Sequence, residues 1–212
     1  MVSGPVKTPS FDRSHFTEFL IRENALDQEG FAHWIFQPGM LFNSSDKWWG
    51  DLGRRDKPHE GVDLCLYGNQ GQRIRRIGEN TGIPVMYDGV IVAMIDDFIG
   101  RSVIVEHAPS GSHRFKFYTI YGHTNPQRDF QIGSTLKAGD IFATIAGPAH
   151  KNSVILPHLH ISLGWSAASI FYDRLNWQTI GAPGMLNLLD PLVLLDWPYQ
   201  VLTQADLLRP DV

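Results

Sequence analysis

Pro157-His158-Leu159-His160-Ile161-Ser162-Leu163 is the stretch on which the fold turns. Leu159, Ile161 and Leu163 fall on one face of an extended chain, and His158 and His160 fall on the other. That alternation is the pattern of a half-buried β-strand. Two positions along a strand put the histidine α-carbons roughly 6.6 Å apart, close enough to serve one cleft. Earlier in the chain stands His59-Glu60-Gly61-Val62-Asp63. Imidazole and carboxylate are ligands that suit zinc, and a hydrolytic zinc site needs three protein ligands and one open position. The two segments supply three ligands and leave at least one histidine for proton transfer, which points to a metallohydrolase.

The first segment sets a condition. A straight strand would separate the α-carbons of His59 and Asp63 by roughly 13 Å, too far for both side chains to reach one metal at about 2 Å. The chain must bend between them. Gly61 is the residue that permits a bend or bulge, either through a dihedral closed to other residues or by leaving room for a substrate, and Pro58 sets the entry. In a regular strand Glu60 would face away from His59. The better-known zincin pattern is absent, because no histidine follows at the second ligand position, so Glu60 has no motif-based claim to be a general base.

Composition narrows the class. The 212 residues suffice for one domain with extensions. Hydrophobic content is 43% and charged content 19%, which marks a globular chain rather than a disordered one. The formal net charge is -4 and no Lys/Arg run exceeds the short cluster Arg73, Arg75 and Arg76, so the basic face of a nucleic-acid binder is not evident. Cys65 is the single cysteine, which excludes an internal disulfide and a cysteine-based metal site, and it reads as a small buried hydrophobe. Residues 1–10 are polar and carry no apolar signal-peptide core. No window approaches 18 apolar residues, so no transmembrane segment is expected.

Helical spacing of Phe16, Phe19, Leu20 and Glu23 predicts an amphipathic helix near 12–26, with Asp12 or Ser14 as its cap. Residues 36–58 are rich in Gly, Pro, Asn and Asp and read as an ordered loop in which Trp48 and Trp49 serve packing. From Gly61 onward short strands are expected at 62–66, 85–87, 89–95, 102–106, 114–121, 141–146 and 159–163. Tyr87-Asp88-Gly89 and Ser110-Gly111 read as hairpin turns. Strands at this spacing give a mainly β fold, a small antiparallel sheet forming an open barrel or sandwich, with an N-terminal helix and a C-terminal extension. A further Pro/Gly-rich stretch at 181–184 precedes an apolar tail segment, 186–197, expected to dock on the core.

These motifs, in this order, resemble the M23 metallopeptidases, the lysostaphin-type peptidoglycan endopeptidases. His59-Glu60-Gly61-Val62-Asp63 is similar to that family's first ligand motif. Ile83-Pro84-Val85 with Asp88-Gly89-Val90 resembles its next strand pair. Val103 to His107 resembles the strand leading to Tyr-x-His, present as Tyr121-Gly122-His123. Leu136-Lys137-Ala138-Gly139-Asp140 resembles its following turn, and Pro157-His158-Leu159-His160 its closing motif. The likeness runs from about 58 to 165, with a weaker echo at Asp190-Pro191. It implies a groove across one sheet and one Zn2+ per chain held by His59, Asp63 and His160. His123 and His158 would flank the open position as proton carriers and oxyanion stabilisers. It also implies a peptide substrate from peptidoglycan, and hence an extracytoplasmic setting in periplasm or cell wall. Two departures stand out. Lys151 to Leu156 replaces the glycines that usually precede the closing motif, and Ser162 stands where relatives tend to carry Glu.

On this reading residues 1–57 form an extension with a helix and an ordered loop, 58–197 the peptidase-like domain, and 198–212 a tail. Two other classes compete with this reading. An inactive, peptidase-like scaffold would normally show a missing ligand, and all three are present. A histidine phosphocarrier has no need of Asp63. His15, His33, His107, His113 and His150 read as surface or packing residues.

Overall fold

The computed structural model describes residues 11–107, 115–147, 155–167, 170–203 and 206. The elements in chain order are helix α1 (Phe16–Glu23), strands β1 (Phe31–Phe36), β2 (Val62–Leu64), β3 (Leu66–Asn69), β4 (Ile74–Arg76), β5 (Gly82–Pro84), β6 (Gly89–Asp96), β7 (Arg101–His107), β8 (Lys116–Pro126), β9 (Thr135–Leu136), β10 (Ile141–Ile145), β11 (Leu159–Ser166) and β12 (Asn187–Leu189), helix α2 (Leu192–Leu195) and strand β13 (Tyr199–Val201). The architecture is mainly β. One open nine-stranded sheet runs β12-β11-β8-β7-β6-β9, with β2 paired to β11, and β10 paired to both β5 and β8. A second sheet of four strands runs β13-β1-β3-β4. Among the described residues no helix is long and apolar enough to cross a membrane.

Period-two alternation explains where the site lies. Leu159, Ile161, Leu163 and Trp165 of β11 join the main core with Val62 and Leu64 of β2, Val103 and Val105 of β7, and Phe117 and Tyr121 of β8. The intervening positions must face the opposite side. On β7 and β8 those positions are Ile104, Tyr118 and Ile120, which pack with Ile170, Leu175, Ile180 and Leu186 from the segment between β11 and β12. Asp63, His158 and His160 belong to this second face by the same alternation. β11 is buried along its whole length. The expected half-buried strand is therefore corrected, because layers cover both of its faces.

Helix α1 is shorter than expected. His15 is its N-cap, without a side-chain bond to the helix's first amides, rather than Asp12 or Ser14. The Ser14 hydroxyl donates to Leu194 O at 3.0 Å and accepts a long bond from Phe16 N at 3.5 Å. Phe16 and Leu20 are fully buried, each contributing about 1.5–3 kcal/mol relative to exposure. Asn24 ends the helix and ties it to β5: its amide nitrogen donates to Leu20 O and Gly82 O, and its oxygen accepts from Gly82 N.

Other strand expectations shift as well. Pairing falls on Gly82–Pro84, not 85–87, because Val85 N bonds Asp140 O and Met86 N bonds the Tyr121 hydroxyl. Tyr87-Asp88-Gly89 is a bend and not a hairpin, since β5 and β6 do not pair. The Ser110-Gly111 turn lies outside the described residues. The expected strand 62–66 breaks at Cys65 into β2 and β3, which join different sheets, and β1, β4, β9, β12 and β13 add strands that the sequence reading lacks. The 36–58 stretch is an ordered loop, with a short 3₁₀ turn at Pro38–Met40 and an Asp46–Arg54 bridge. Cys65 is fully buried and burial pushes its thiol up to about 12, which fits a packing residue.

Candidate metal centre

Backbone register brings the histidine segments together. β11 pairs antiparallel with β2 so that His160 stands opposite Asp63, and with β8 so that His160 stands opposite Gly122. A Cβ at Gly122 would lie 3.2 Å from His160 Cβ and 3.2 Å from Trp177 Cζ2, so glycine leaves the space the imidazole uses. His59 precedes β2, and the chain bends at Glu60 and Gly61 as the spacing required. The cause differs from both expectations for Gly61. It does not take a positive φ. A Cβ there would sit 2.1 Å from Ile161 O and 2.8 Å from Ser162 Oγ. Glycine is needed because the β11 backbone passes directly over it.

His59, Asp63 and His160 form one buried group whose ligand atoms could hold a metal ion. His59 Nε2 lies 3.1 Å from Asp63 Oδ1 and 3.1 Å from His160 Nδ1, and His160 Nδ1 lies 2.8 Å from Asp63 Oδ1. Tetrahedral ligands at zinc bond lengths of about 2.0–2.1 Å stand about 3.3 Å apart. The three atoms are within about half an ångström of that spacing, and two imidazoles with one carboxylate are a donor set zinc accepts. The opposite ring nitrogens are occupied. His59 Nδ1 donates to Leu41 O at 3.0 Å, and His160 Nε2 lies 2.8 Å from Ser162 Oγ. These contacts turn the free lone pairs inward. The other carboxylate oxygen is occupied too: Trp48 Nε1 donates to Asp63 Oδ2 at 2.6 Å and Arg55 Nη2 stands 3.6 Å away. Oδ1 alone is left to face the two histidines. Ser162 thus meets the outer nitrogen of His160.

Protonation agrees with this division. Burial first, only partly opposed by Asp63, pushes His158 and His160 down to about 4, so both are neutral at pH 7. Burial of Asp63 opposes its charge, but His59, His158 and His160 together outweigh it and hold the carboxyl well below the usual range.

His158 and His123 complete the cleft. His158 Nδ1 donates to Leu156 O at 2.7 Å, and its Nε2 is 3.8 Å from Asp63 Oδ1. His123 sits in β8 at φ +60°, beside a register shift against β7 between Arg101 and Val103. Left-handed backbone is uncommon for a side chain of this size. Here it turns the ring into the cleft, 4.6 Å from His158 between ring centroids. Asp97 holds it there: His123 Nδ1 is 3.0 Å from Asp97 Oδ1, and His123 N donates to Oδ2 at 3.0 Å. Burial alone would raise the Asp97 carboxyl, but His123, Ser102 and the Ile99 amide keep it well below the usual range. Ser102 Oγ donates to Asp97 Oδ2 at 2.6 Å and accepts from Trp177 Nε1 at 3.1 Å. The Trp177 ring also meets His160 edge-on at 4.9 Å.

The five expected residues line one cleft of about 210 Å³, together with Trp49, Arg55, Glu60, Phe98 and Trp177. Glu60 was expected to face away from His59. The bend places both on this cleft. Sequence reasoning missed Asp97, Trp177, Ser162 and the Trp48 contact to Asp63. Asp97 lies in the turn between β6 and β7, where an aspartate reads as solvated, and Trp177 lies in a segment that carries no motif. Of the remaining histidines, His15 pairs with Glu18 on the surface. The His33 ring covers Gly68, where a Cβ would meet it at 2.4 Å. His107 is buried rather than exposed. His113 and His150 lie outside the described residues.

No family model matches the sequence, and no curated protein matches it significantly. Solved structures similar to it include a provisionally assigned M23 peptidase from Pseudomonas aeruginosa, at 17% identity and TM-score 0.36, covering 70% of this chain and 55% of that one. A second is the catalytic domain of the prophage-encoded M23 protein EnpA from Enterococcus faecalis, at 22% identity and TM-score 0.34, covering 63% and 85%. A third is a provisionally assigned glycyl-glycine endopeptidase, LytM, from Ruminococcus gnavus, at 16% identity and TM-score 0.39, covering 68% and 50%. The chain spans about half the length of the first and third. At these TM-scores the likeness carries no argument for any residue's role. The geometry does.

Proposed function

We propose that this chain is a zinc-dependent endopeptidase that hydrolyses a peptide bond in peptidoglycan cross-links or stem peptides. The observation that carries the reading is the convergence of His59 Nε2, Asp63 Oδ1 and His160 Nδ1 at 2.8–3.1 Å, beside two histidines whose outward nitrogens are already bonded. A zinc ion held by these three residues would supply Lewis acidity for a carbonyl oxygen and for an attacking water. His158, neutral at pH 7 and with Nδ1 committed to Leu156 O, offers Nε2 as a proton acceptor. His123 has its Nδ1 tied to Asp97, which leaves Nε2 to exchange a proton or stabilise the developing oxyanion. Trp49, Phe98 and Trp177 wall the cleft with apolar surface and limit water around the reacting bond. The peptidoglycan assignment, and the extracytoplasmic setting it requires, rest on the motif order.

Elemental analysis of protein purified without chelator is expected to give about one zinc per chain, from the three-ligand set. His160→Ala should lose it. His123→Ala and His158→Ala should keep it while hydrolysis of purified cell-wall sacculi falls roughly 10²–10⁴-fold. Unchanged zinc in His160→Ala would overturn the ligand set. Unchanged hydrolysis in His123→Ala would remove that residue from the chemistry.

A further inference from the structure

A second cleft, of about 390 Å³, adjoins the first and shares His59, Glu60 and Trp177 with it. A peptide that lies over the ligand cluster and runs into this second space passes Glu60. The charged side chains along that path are not alike. Arg55 is committed, donating through Nε to Asp46 O at 3.1 Å and through Nη2 to Gly39 O at 3.0 Å. Lys57 donates to Gln178 O at 3.2 Å. Asp63 is ringed by histidines and Trp48. Glu60 is half-buried at the junction, and among the described residues no hydrogen bond or ion pair reaches its carboxylate. A partly shielded carboxylate with no protein partner keeps its acceptor oxygens available to a charged donor that enters the cleft.

We propose that Glu60 forms a subsite for an ammonium group of the substrate, at the border between the metal cleft and the second cleft. The inference rests on the peptidase reading and adds to it the class of peptide preferred, one carrying a free amine close to the bond that is cut. The two sources of such a group are a free α-amine and a lysine-type side chain. Glu60 is then a specificity residue and takes no part in bond cleavage. A carboxylate free of protein partners matches a compact ammonium, which needs one strong partner and leaves its other donors to water.

The test is calorimetric binding to the metal-free protein. Four probes carry nothing but the group in question: tetraglycine amide with its α-amine free, the same peptide N-acetylated, N-acetyl-Gly-Lys-Gly-Gly amide, and that peptide acetylated on the lysine nitrogen. One amine-bearing peptide is expected to bind about 5–20-fold more tightly than its acetylated partner, and which pair shows the difference identifies the source. Glu60→Gln should erase that preference and leave the acetylated peptide unaffected. Glu60→Lys should reverse it. Equal binding within both pairs, or a preference that survives in Glu60→Gln, overturns the subsite. Zinc content and sacculus hydrolysis of the wild-type chain, read on the same preparation, keep the two ideas apart. A lost preference with both intact overturns the subsite alone, whereas absence of both overturns the peptidase reading.

Discussion

His160 and His107 sit on neighbouring parts of the same sheet and look alike by burial: 5% and 3% exposed, each with its pKa pushed down to about 4, burial being the first cause. Their surroundings differ. His107 bonds neutral groups, Asp88 O at 3.0 Å and Thr119 Oγ1 at 2.9 Å, and packs against the Tyr87 and Phe117 rings. His160 Nδ1 meets a carboxylate oxygen and a second imidazole, with a further imidazole, His158, 3.8 Å from that same oxygen. Burial and a depressed pKa are therefore common to a structural histidine and a candidate ligand. What separates them is convergence: three potential ligand atoms, two from imidazoles and one from a carboxylate, lie within 2.8–3.1 Å of one another around His160. Folding maintains that convergence through the backbone pairing of β2 with β11.

The largest effect should come from breaking that pairing. In Gly61→Val the new Cβ would have to occupy a point 2.1 Å from Ile161 O, so the β2 and β11 backbones must part. Valine is otherwise welcome in strands, which makes the result diagnostic. We expect zinc to be lost together with at least about 3 kcal/mol of stability, the order of a severe overpacking or a broken buried network. Denaturant unfolding and zinc titration check this. A neutral or stabilised variant that still binds zinc would show that register does not hold the ligands. Next in size is Asp97→Asn, which leaves the ligand set alone. Asparagine cannot hold His123 through two acceptor oxygens as the carboxylate does, so hydrolysis should fall roughly 10–10²-fold, the usual range for a group that orients a functional histidine, with zinc content unchanged. Loss of zinc on the scale of an Asp63→Asn variant would mean that Asp97 supports the fold rather than the histidine.

The contrast between the two histidines also shows what could be read in advance. Alternation on 159–163 and the motif order bring His59, Asp63, His123, His158 and His160 to one cleft, which they line. Each of those signals is local, a face of a strand or a spacing within a few residues. The missed elements depend on distant pairing. β1 lies between β3 and β13, and its parallel register with β13 joins Trp34 to Tyr199, a contact that neither stretch announces alone. Asp97 gains its role only because β8 bulges toward it. Trp177 gains its role only because the segment after β11 folds back over the second face of the sheet. Gly61 was singled out correctly for a reason that was wrong: the strand that crosses it is a hundred residues away in sequence and could not be seen from the motif.

The smallest effect sharpens the comparison from the structural side. His107 has a folded pKa of about 4 against an unfolded value near 6.5. Above pH 6.5 the ring is neutral in both states, and its contribution to stability is fully present. As pH falls from about 6.5 toward 4 the unfolded chain takes up a proton that the folded one refuses, so stability is lost on acidification through that window. Between pH 7.5 and 5 the loss from this residue should be about 2 kcal/mol, given a shift of this size. His107→Gln should be less stable than the parent at pH 7.5, because it gives up ring packing with Phe117 and Tyr87, yet its stability should fall by about 2 kcal/mol less over the same pH interval. Urea midpoints of the zinc-loaded proteins at the two pH values measure the difference, since His59, His158 and His160 are then in the same state in parent and variant. Parallel pH profiles for the two proteins would mean that His107 is protonated as readily in the fold as outside it. Its burial would then not be the reason it resembles His160.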